Sequence, residues 1–316
     1  MLDSFWTSVG GKLAERWAAV SAGALVYWLG GLAAWLAGHG GFAALRPPLD
    51  RLAGWPAPIQ VAVLLSALLA MAGSGAVVQA LTLPAIRAIE GYWPAGLNRL
   101  RASRIRRVKL SRAADEQRWL ELSRRRTPAA GSSSAPAAIT RDQADELARI
   151  DQRLRRSPED PDRLMPTRVG NILRAAESHP KDKYGLDGVA VWAHLWLVLP
   201  DIGRQEITAA RAALDGATRI FIWGLLFLPF TAWSWLAAPA GLACAAAALW
   251  WRVPAAAVVY ADLVEAAFDL YRPALYRQLR WPLPTGPQQE RIEGRRLTEY
   301  LWRGLDSAAP TFRKED

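Results

Sequence analysis

Arg252 closes a long stretch without charge: from Ile220 to Trp251 the chain contains no Asp, Glu, Lys or Arg. A guanidinium carried to the middle of a bilayer costs at least about 2.5 kcal/mol, so one embedded in such sequence calls for compensation. An anion in a wet cavity would supply it, which makes Arg252 a candidate for an anion pathway. Trp250 and Trp251 precede it and suit a headgroup boundary instead. Pro254 follows two residues later, where a missing N–H frees a carbonyl or kinks a helix.

Asp262, Glu265 and Asp269 recur at i, i+3 and i+7, one side of a helix, with Tyr271, Arg272 and Tyr276 close behind. Spaced carboxylates can bind a cation or move protons. Without a neighbouring histidine or a further ligand in the sequence, pairing with arginines is the simpler expectation. His194 is distant in sequence from His39 and His179, so no metal site is expected. The single cysteine, Cys244, excludes an intramolecular disulfide and a cysteine-built zinc cluster, and its apolar surroundings predict a buried, inert thiol. No phosphate-loop, nucleophile or metal-ligand spacing is present, so no cofactor, metal or enzymatic activity is expected.

A second chemistry is anion binding by arginine. Residues 87–126 hold 12 basic and 4 acidic residues, whereas 87–219 as a whole hold 25 and 17, so positive charge is concentrated at the start of this segment. Arg99, Arg101, Arg104, Arg106, Arg107, Lys109 and Arg112 lie shortly after a second charge-free run, Leu52–Ile86. A polybasic segment in that place attracts anionic phospholipid by about 1 kcal/mol per residue. Nucleic acid is not expected, because no zinc-finger spacing or RNP signature accompanies the arginines.

Charge-free runs of this length define the elements that carry these residues. About 20 apolar residues cross roughly 30 Å of hydrocarbon. Four transmembrane helices are predicted: from about Trp17 to Gly38, Pro58 to Pro84, Ile220 to Leu236, and Leu242 to Ala261. The first reads as an uncleaved anchor, and Ala238-Pro239-Ala240-Gly241 as the turn between the last two. A mean hydropathy of +0.03 and 22% charged residues hide this division, because apolar spans and a polar insert cancel. Twelve basic residues near span ends fall on one side and only Arg46 and Arg51 on the other. That places residues 1–16, 87–219 and 262–316 in the cytoplasm. Gly30, Ala34 and Gly38, and Ala62, Ser66, Ala70 and Ser74, recur every four positions. Such small-residue stripes let helices approach closely, predicting that these two spans pack on each other or on a second copy in a homo-oligomer.

Within the insert, residues 129–138 read as a small-residue linker. Thr140 and Gln143 form a capping box before a helix with Ala144, Leu147, Ile150 and Leu154 on one side, ending at Ser157-Pro158. A second helix begins near Pro166-Thr167, with Val169, Ile172, Leu173 and Ala176 inward and Arg168 and Arg174 outward. Gly188–Pro200 is uncharged but too short to span, which predicts a core helix or one lying in the interface, with Trp192 and Trp196 on one face. Gln289–Arg303 predicts an amphipathic tail helix with Ile292, Leu297 and Leu301.

The passage MPTRVGNILRAAESHPKDKYGLDGVAVWAHLWLVLP, followed by a span pair and YADLVEAAFDLYRPALYRQLRWPLP, resembles an uncharacterised family of bacterial multi-spanning membrane proteins, over roughly residues 165–284. The resemblance implies a bacterial plasma-membrane location and no particular activity. The expectation is an all-α integral membrane protein, a non-enzymatic anchor or scaffold presenting a basic cytoplasmic domain. Its expected partners are the bilayer, anionic phospholipid and a cytoplasmic protein. The alternative is an oligomeric channel or transporter using Arg252. A membrane enzyme would need a polar pocket enclosing Asp262, Glu265 and His194 together.

Overall fold

The computed structural model describes residues 22–126 and 140–304, and among them every regular element is helical. In chain order the helices are α1 (Ala22–Gly38), α2 (Arg46–Ala53), α3 (Ala57–Glu90), α4 (Asn98–Arg126), α5 (Arg141–Arg155), α6 (Arg168–Tyr184), α7 (Gly188–Val198), α8 (Asp201–Leu226), α9 (Ala237–Ala247), α10 (Val253–Gln278) and α11 (Pro287–Arg303). Short 3-10 turns lie between several of them, and one π-helical turn, Ala248–Arg252, joins α9 to α10. The 129–138 linker and residues 1–16 fall outside the described residues.

Three helical stretches are long and apolar enough to cross a membrane: Ala57–Arg125, Asp201–Ala232 and Ala237–Gln278. Their charge-free parts, within Leu52–Ile86 and Ile220–Trp251, are the segments suited to hydrocarbon. The expected first span is described only from Ala22, and its described part, Ala22–Gly38, is an apolar helix. The expected turn at Ala238–Gly241 is corrected: these residues lie inside α9, and the chain reverses earlier, through a 3-10 turn at Leu228–Ala232. Pro239 is the third residue of α9, where an N–H has no intrahelical acceptor to lose, and the surrounding alanines favour helix. Pro229 instead opens the 3-10 turn. The last two expected spans are thereby the end of one helix that begins at Asp201 and a helical run that continues from Ala237 to Gln278.

The chain divides into two compact units, Met1–Ile86 with Ala213–Val253, and Arg87–Ala212 with Pro254–Asp316. In the first, glycines meet aromatic rings. A Cβ on Gly30 would come within 2.8 Å of Phe227, on Gly31 within 2.4 Å of Phe230, and on Gly38 within 1.9 Å of the Trp233 carbonyl oxygen. Tyr27 packs with its ring tilted against Trp223 and Phe230, centroids 4.8 Å and 5.0 Å away, and its hydroxyl donates to the Leu226 carbonyl. Gly224 and Gly241 allow α8 and α9 to touch backbone to backbone, a Cβ on Gly224 falling 2.7 Å from the Ala245 nitrogen. Exposed Phe42, Trp55, Trp233 and Trp235 mark the connections between these helices, as interfacial aromatics do.

In the second unit, α4 and α5 pair through Leu122, Leu147 and Ile150, with Trp119 and Leu154 against them. The capping box of α5 is formed, Thr140 accepting from the Gln143 backbone and Gln143 accepting from the Thr140 backbone. Val169, Ile172, Leu173 and Ala176 of α6 are buried. Gly185, at φ 74°, ends α6 where a side chain would strike α11, and Gly294 on α11 reciprocates against the Tyr184 carbonyl. This close approach turns Glu293, Gly294, Leu297 and Thr298 inward and leaves Ile292 exposed, correcting its expected inward position. Trp281, fully enclosed, donates its indole N–H to Glu293 at 3.2 Å.

Candidate functional site

Helix α4 presents the basic face. Arg99, Arg104, Arg106 and Arg107 are exposed, as are Leu97, Leu100 and Leu110 beside them. At 100° per residue, positions 99, 100, 103, 104, 106, 107 and 110 share one broad side of the helix. Among the described residues these four arginines form no ion pair, so their charge is available to an external anion. Lys109 and Arg112 are used internally. Lys109 bonds Asp162 at 2.9 Å, while Arg112 pairs with Glu116 and donates to the Ser157 carbonyl at 3.3 Å, holding α4 against the end of α5. Arg101 is half-buried, with its Nε enclosed and unpartnered. The seven basic residues therefore divide into an outward group of four and a group built into the fold.

The carboxylate row on α10 lies beyond the charge-free run. Glu265 accepts from His179 Nδ1 at 3.2 Å and from Lys183 of α6, and Lys183 reaches Asp269 at 3.7 Å. Tyr184 donates to Asp269 at 2.6 Å, and Arg272 stands 3.9 Å over the Tyr184 ring while bonding Glu290 of α11 at 2.7 Å. His179 first, and Lys183 with it, hold the Glu265 carboxyl down near 2 against the opposing effect of burial. Burial and the bond to Asp269 push Tyr184 up to about 12. These carboxylates pair with a histidine, a lysine and a tyrosine rather than with the expected arginines of the insert. His179 is the residue that the sequence reading missed. Its spacing to Tyr184 along α6 puts His179, Lys183 and Tyr184 near one face, the only signal available.

Asp262 is exposed, and Glu265 meets His179, not His194, so the three groups an enzyme would require are not brought together. His194 has its Nδ1 enclosed and unpartnered. Among the described residues no group of three or more His, Cys, Asp or Glu is placed to hold a metal ion. Trp192 and Trp196 stand 5.8 Å apart on α7, whose Val191 and Leu195 are buried while Val189 and Leu197 are exposed.

Arg252 is exposed at the end of the π-helical turn, next to exposed Trp250 and Trp251. The helical run begins at Ala237, five residues earlier than expected, which puts Arg252 about 22 Å along it rather than halfway through a span. Pro254 is accommodated by the π turn, whose wider hydrogen bonding relieves the clash between a proline ring and the preceding turn. Among the packing residues, Gly30 and Gly38 of α1 lie against α8 and the turn that follows it, and Ala34 is half-buried. Ala62, Ser66 and Ala70 are exposed, and Ser74 of that stripe accepts from the Trp28 indole of α1 at 3.2 Å.

No known protein family, curated protein or solved structure matches the chain. The resemblance noted over residues 165–284 therefore rests on those residues alone.

Proposed function

We propose that this chain is a non-enzymatic anchor and scaffold of the bacterial plasma membrane, multi-pass, with residues 87–219 and both termini in the cytoplasm and the outward face of α4 bound to anionic phospholipid. The observation that carries the reading is the set of four exposed arginines that form no ion pair among the described residues, interleaved with exposed leucines. Arginine supplies charge-assisted contacts to phosphate, and leucine supplies area for the acyl boundary. Lipid is favoured over nucleic acid because exposed leucines on the same side have no use against a phosphate backbone. The anion-pathway alternative is not adopted, since an exposed Arg252 beside two exposed tryptophans fits a headgroup boundary.

The test is native mass spectrometry of the full chain in detergent, counting bound phosphatidylglycerol and phosphatidylcholine. Wild type is expected to retain phosphatidylglycerol selectively. Changing Arg99, Arg104, Arg106 and Arg107 together to Gln is expected to abolish that selectivity without altering the melting temperature. Equal retention by the quadruple variant would overturn the proposal.

A further inference from the structure

A cavity of about 330 Å³ in the second unit lies where α4, α5 and the start of α6 meet. Four guanidiniums line it, those of Arg112, Arg153, Arg156 and Arg168, against a single carboxylate, that of Asp115. None of the four outward arginines of α4 belongs to its lining. Its walls are fixed. Arg112 ties α4 to the end of α5 through the Ser157 carbonyl, and Asn171 pins the first turn of α6, accepting from the Met165 N–H at 2.8 Å and donating to the Met165 carbonyl at 2.9 Å.

The acidic groups at this cavity are already engaged. Asp115 accepts from two nitrogens of Arg153, at 2.9 and 2.7 Å, and Arg112 is paired with Glu116 at 2.9 Å. Two of the four guanidiniums are thereby neutralised, and among the described residues those of Arg156 and Arg168 form no ion pair or hydrogen bond. They come from different elements: Arg156 caps the end of α5 and is half-buried, while Arg168 is the first residue of α6 and is exposed. A half-buried charge without a partner is costly, and two like charges lining one cavity repel each other. The neutral polar groups that remain uncommitted can donate as well. The Ser111 hydroxyl and the Gln152 carboxamide line the same cavity, and among the described residues neither has a hydrogen-bond partner. The first turn of α6 adds the positive end of its dipole.

We infer that this cavity binds a phosphate monoester, whose oxygens accept from Arg156, Arg168, Ser111 and Gln152. A monoester near neutral pH carries a charge of about −1.5 to −2 and three acceptor oxygens, which matches two unpaired guanidiniums and the neutral donors beside them. A carboxylate, with one charge and two oxygens, would leave part of that set unused. Arginine's planar fork of N–H groups suits phosphate oxygens, and charge-assisted bonds of this kind are the strong ones. The apolar side chains of Val108, Leu154 and Ile172 complete the lining and suit a short carbon stem on the ester. The volume, at the lower end of small-molecule sites, restricts that stem to a few atoms. A soluble phosphate ester and the head of phosphatidic acid share this chemistry.

The experiment is saturation-transfer NMR of glycerol 3-phosphate against the full chain in phosphatidylcholine nanodiscs, with glycerol as the uncharged control. Transfer to glycerol 3-phosphate but not to glycerol is expected, with affinity falling about tenfold in Arg156→Gln and in Arg168→Gln. Arg168→Gln is the safeguard for folding, because its side chain is exposed and makes no contact that the fold uses. The variant with Arg99, Arg104, Arg106 and Arg107 all changed to Gln is expected to bind like wild type, which separates this cavity from the outward face of α4. In nanodiscs containing phosphatidic acid, loss of the signal identifies the lipid head as the occupant, and retention identifies a soluble ester. No transfer in phosphatidylcholine nanodiscs, or wild-type affinity in both single variants at unchanged melting temperature, would overturn the inference.

Discussion

The two units are held together by different physics. In the first, close approach is made by removing atoms: Gly23, Gly30, Gly31 and Gly38 stand where any Cβ would overlap an aromatic ring or a carbonyl, and Gly224 and Gly241 bring α8 and α9 into backbone contact. In the second, helices are joined by a chain of charged and polar side chains, His179, Lys183 and Tyr184 on α6, Glu265, Asp269 and Arg272 on α10, and Glu290 on α11. Apolar surroundings give no hydrophobic drive for helix association and make unpaired charge expensive, so shape has to supply the attraction. Water removes the first restriction and tolerates the second. The difference teaches that the two parts of one chain are adapted to different solvents.

Substitutions can sharpen or break that contrast. The largest effect is expected for Trp281→Ala, which empties a fully enclosed site and leaves Glu293 without its indole donor; about 3–5 kcal/mol should be lost, read by chemical denaturation. Gly38→Ala forces the α1 backbone away from the Trp233 carbonyl and should cost about 1–3 kcal/mol, whereas Gly73→Ala, where nothing lies within 4 Å of the new Cβ, should be tolerated. Equal tolerance of both, measured by thermal melting in nanodiscs, would refute shape-driven packing in the first unit.

Glu265→Gln should cost about 1–2 kcal/mol at neutral pH by removing a charge-assisted acceptor shared by His179 and Lys183. Because its folded pKa, about 2, lies below the ordinary 4.5, the stabilisation is present above that ordinary value and is lost as pH falls from about 4.5 toward 2. Melting curves of wild type should therefore converge on those of the variant across that window. The smallest effect is expected for Thr140→Ala, about 1 kcal/mol, from loss of the α5 capping box, and a deletion of that size is measurable by urea titration.

Much of this organisation is legible in the residues because solvent preference is a sum over many positions. The absence of charge in Leu52–Ile86 and Ile220–Trp251, the capping box at Thr140 and the inward spacing on α6 each follow from local chemistry. The reversal between α8 and α9 was misplaced because Pro239 and Gly241 carry turn-like identities but occupy helix: proline at a third helical position loses no bond, and Gly241 serves contact with Gly224. The partners of Glu265 were hidden for another reason. His179 lies 86 positions away, and no local pattern specifies which helix face meets another across that separation. The seven basic residues on α4 looked equivalent in sequence, and only tertiary contacts separate Lys109 and Arg112 from the outward four.

The central claim, that the exposed apolar side chains of α3 lie in hydrocarbon while the α4 face lies at the lipid surface, is tested most directly by spin-label accessibility in reconstituted protein. Labels at Leu64, Leu68 and Leu110, exposed by 61%, 61% and 73%, would be introduced after Cys244, which is exposed rather than buried as its apolar neighbours predict, is changed to Ser. The account predicts relaxation dominated by oxygen at 64 and 68, and comparable exposure to oxygen and to a water-soluble nickel reagent at 110. Strong nickel accessibility at 64 and 68 would contradict it.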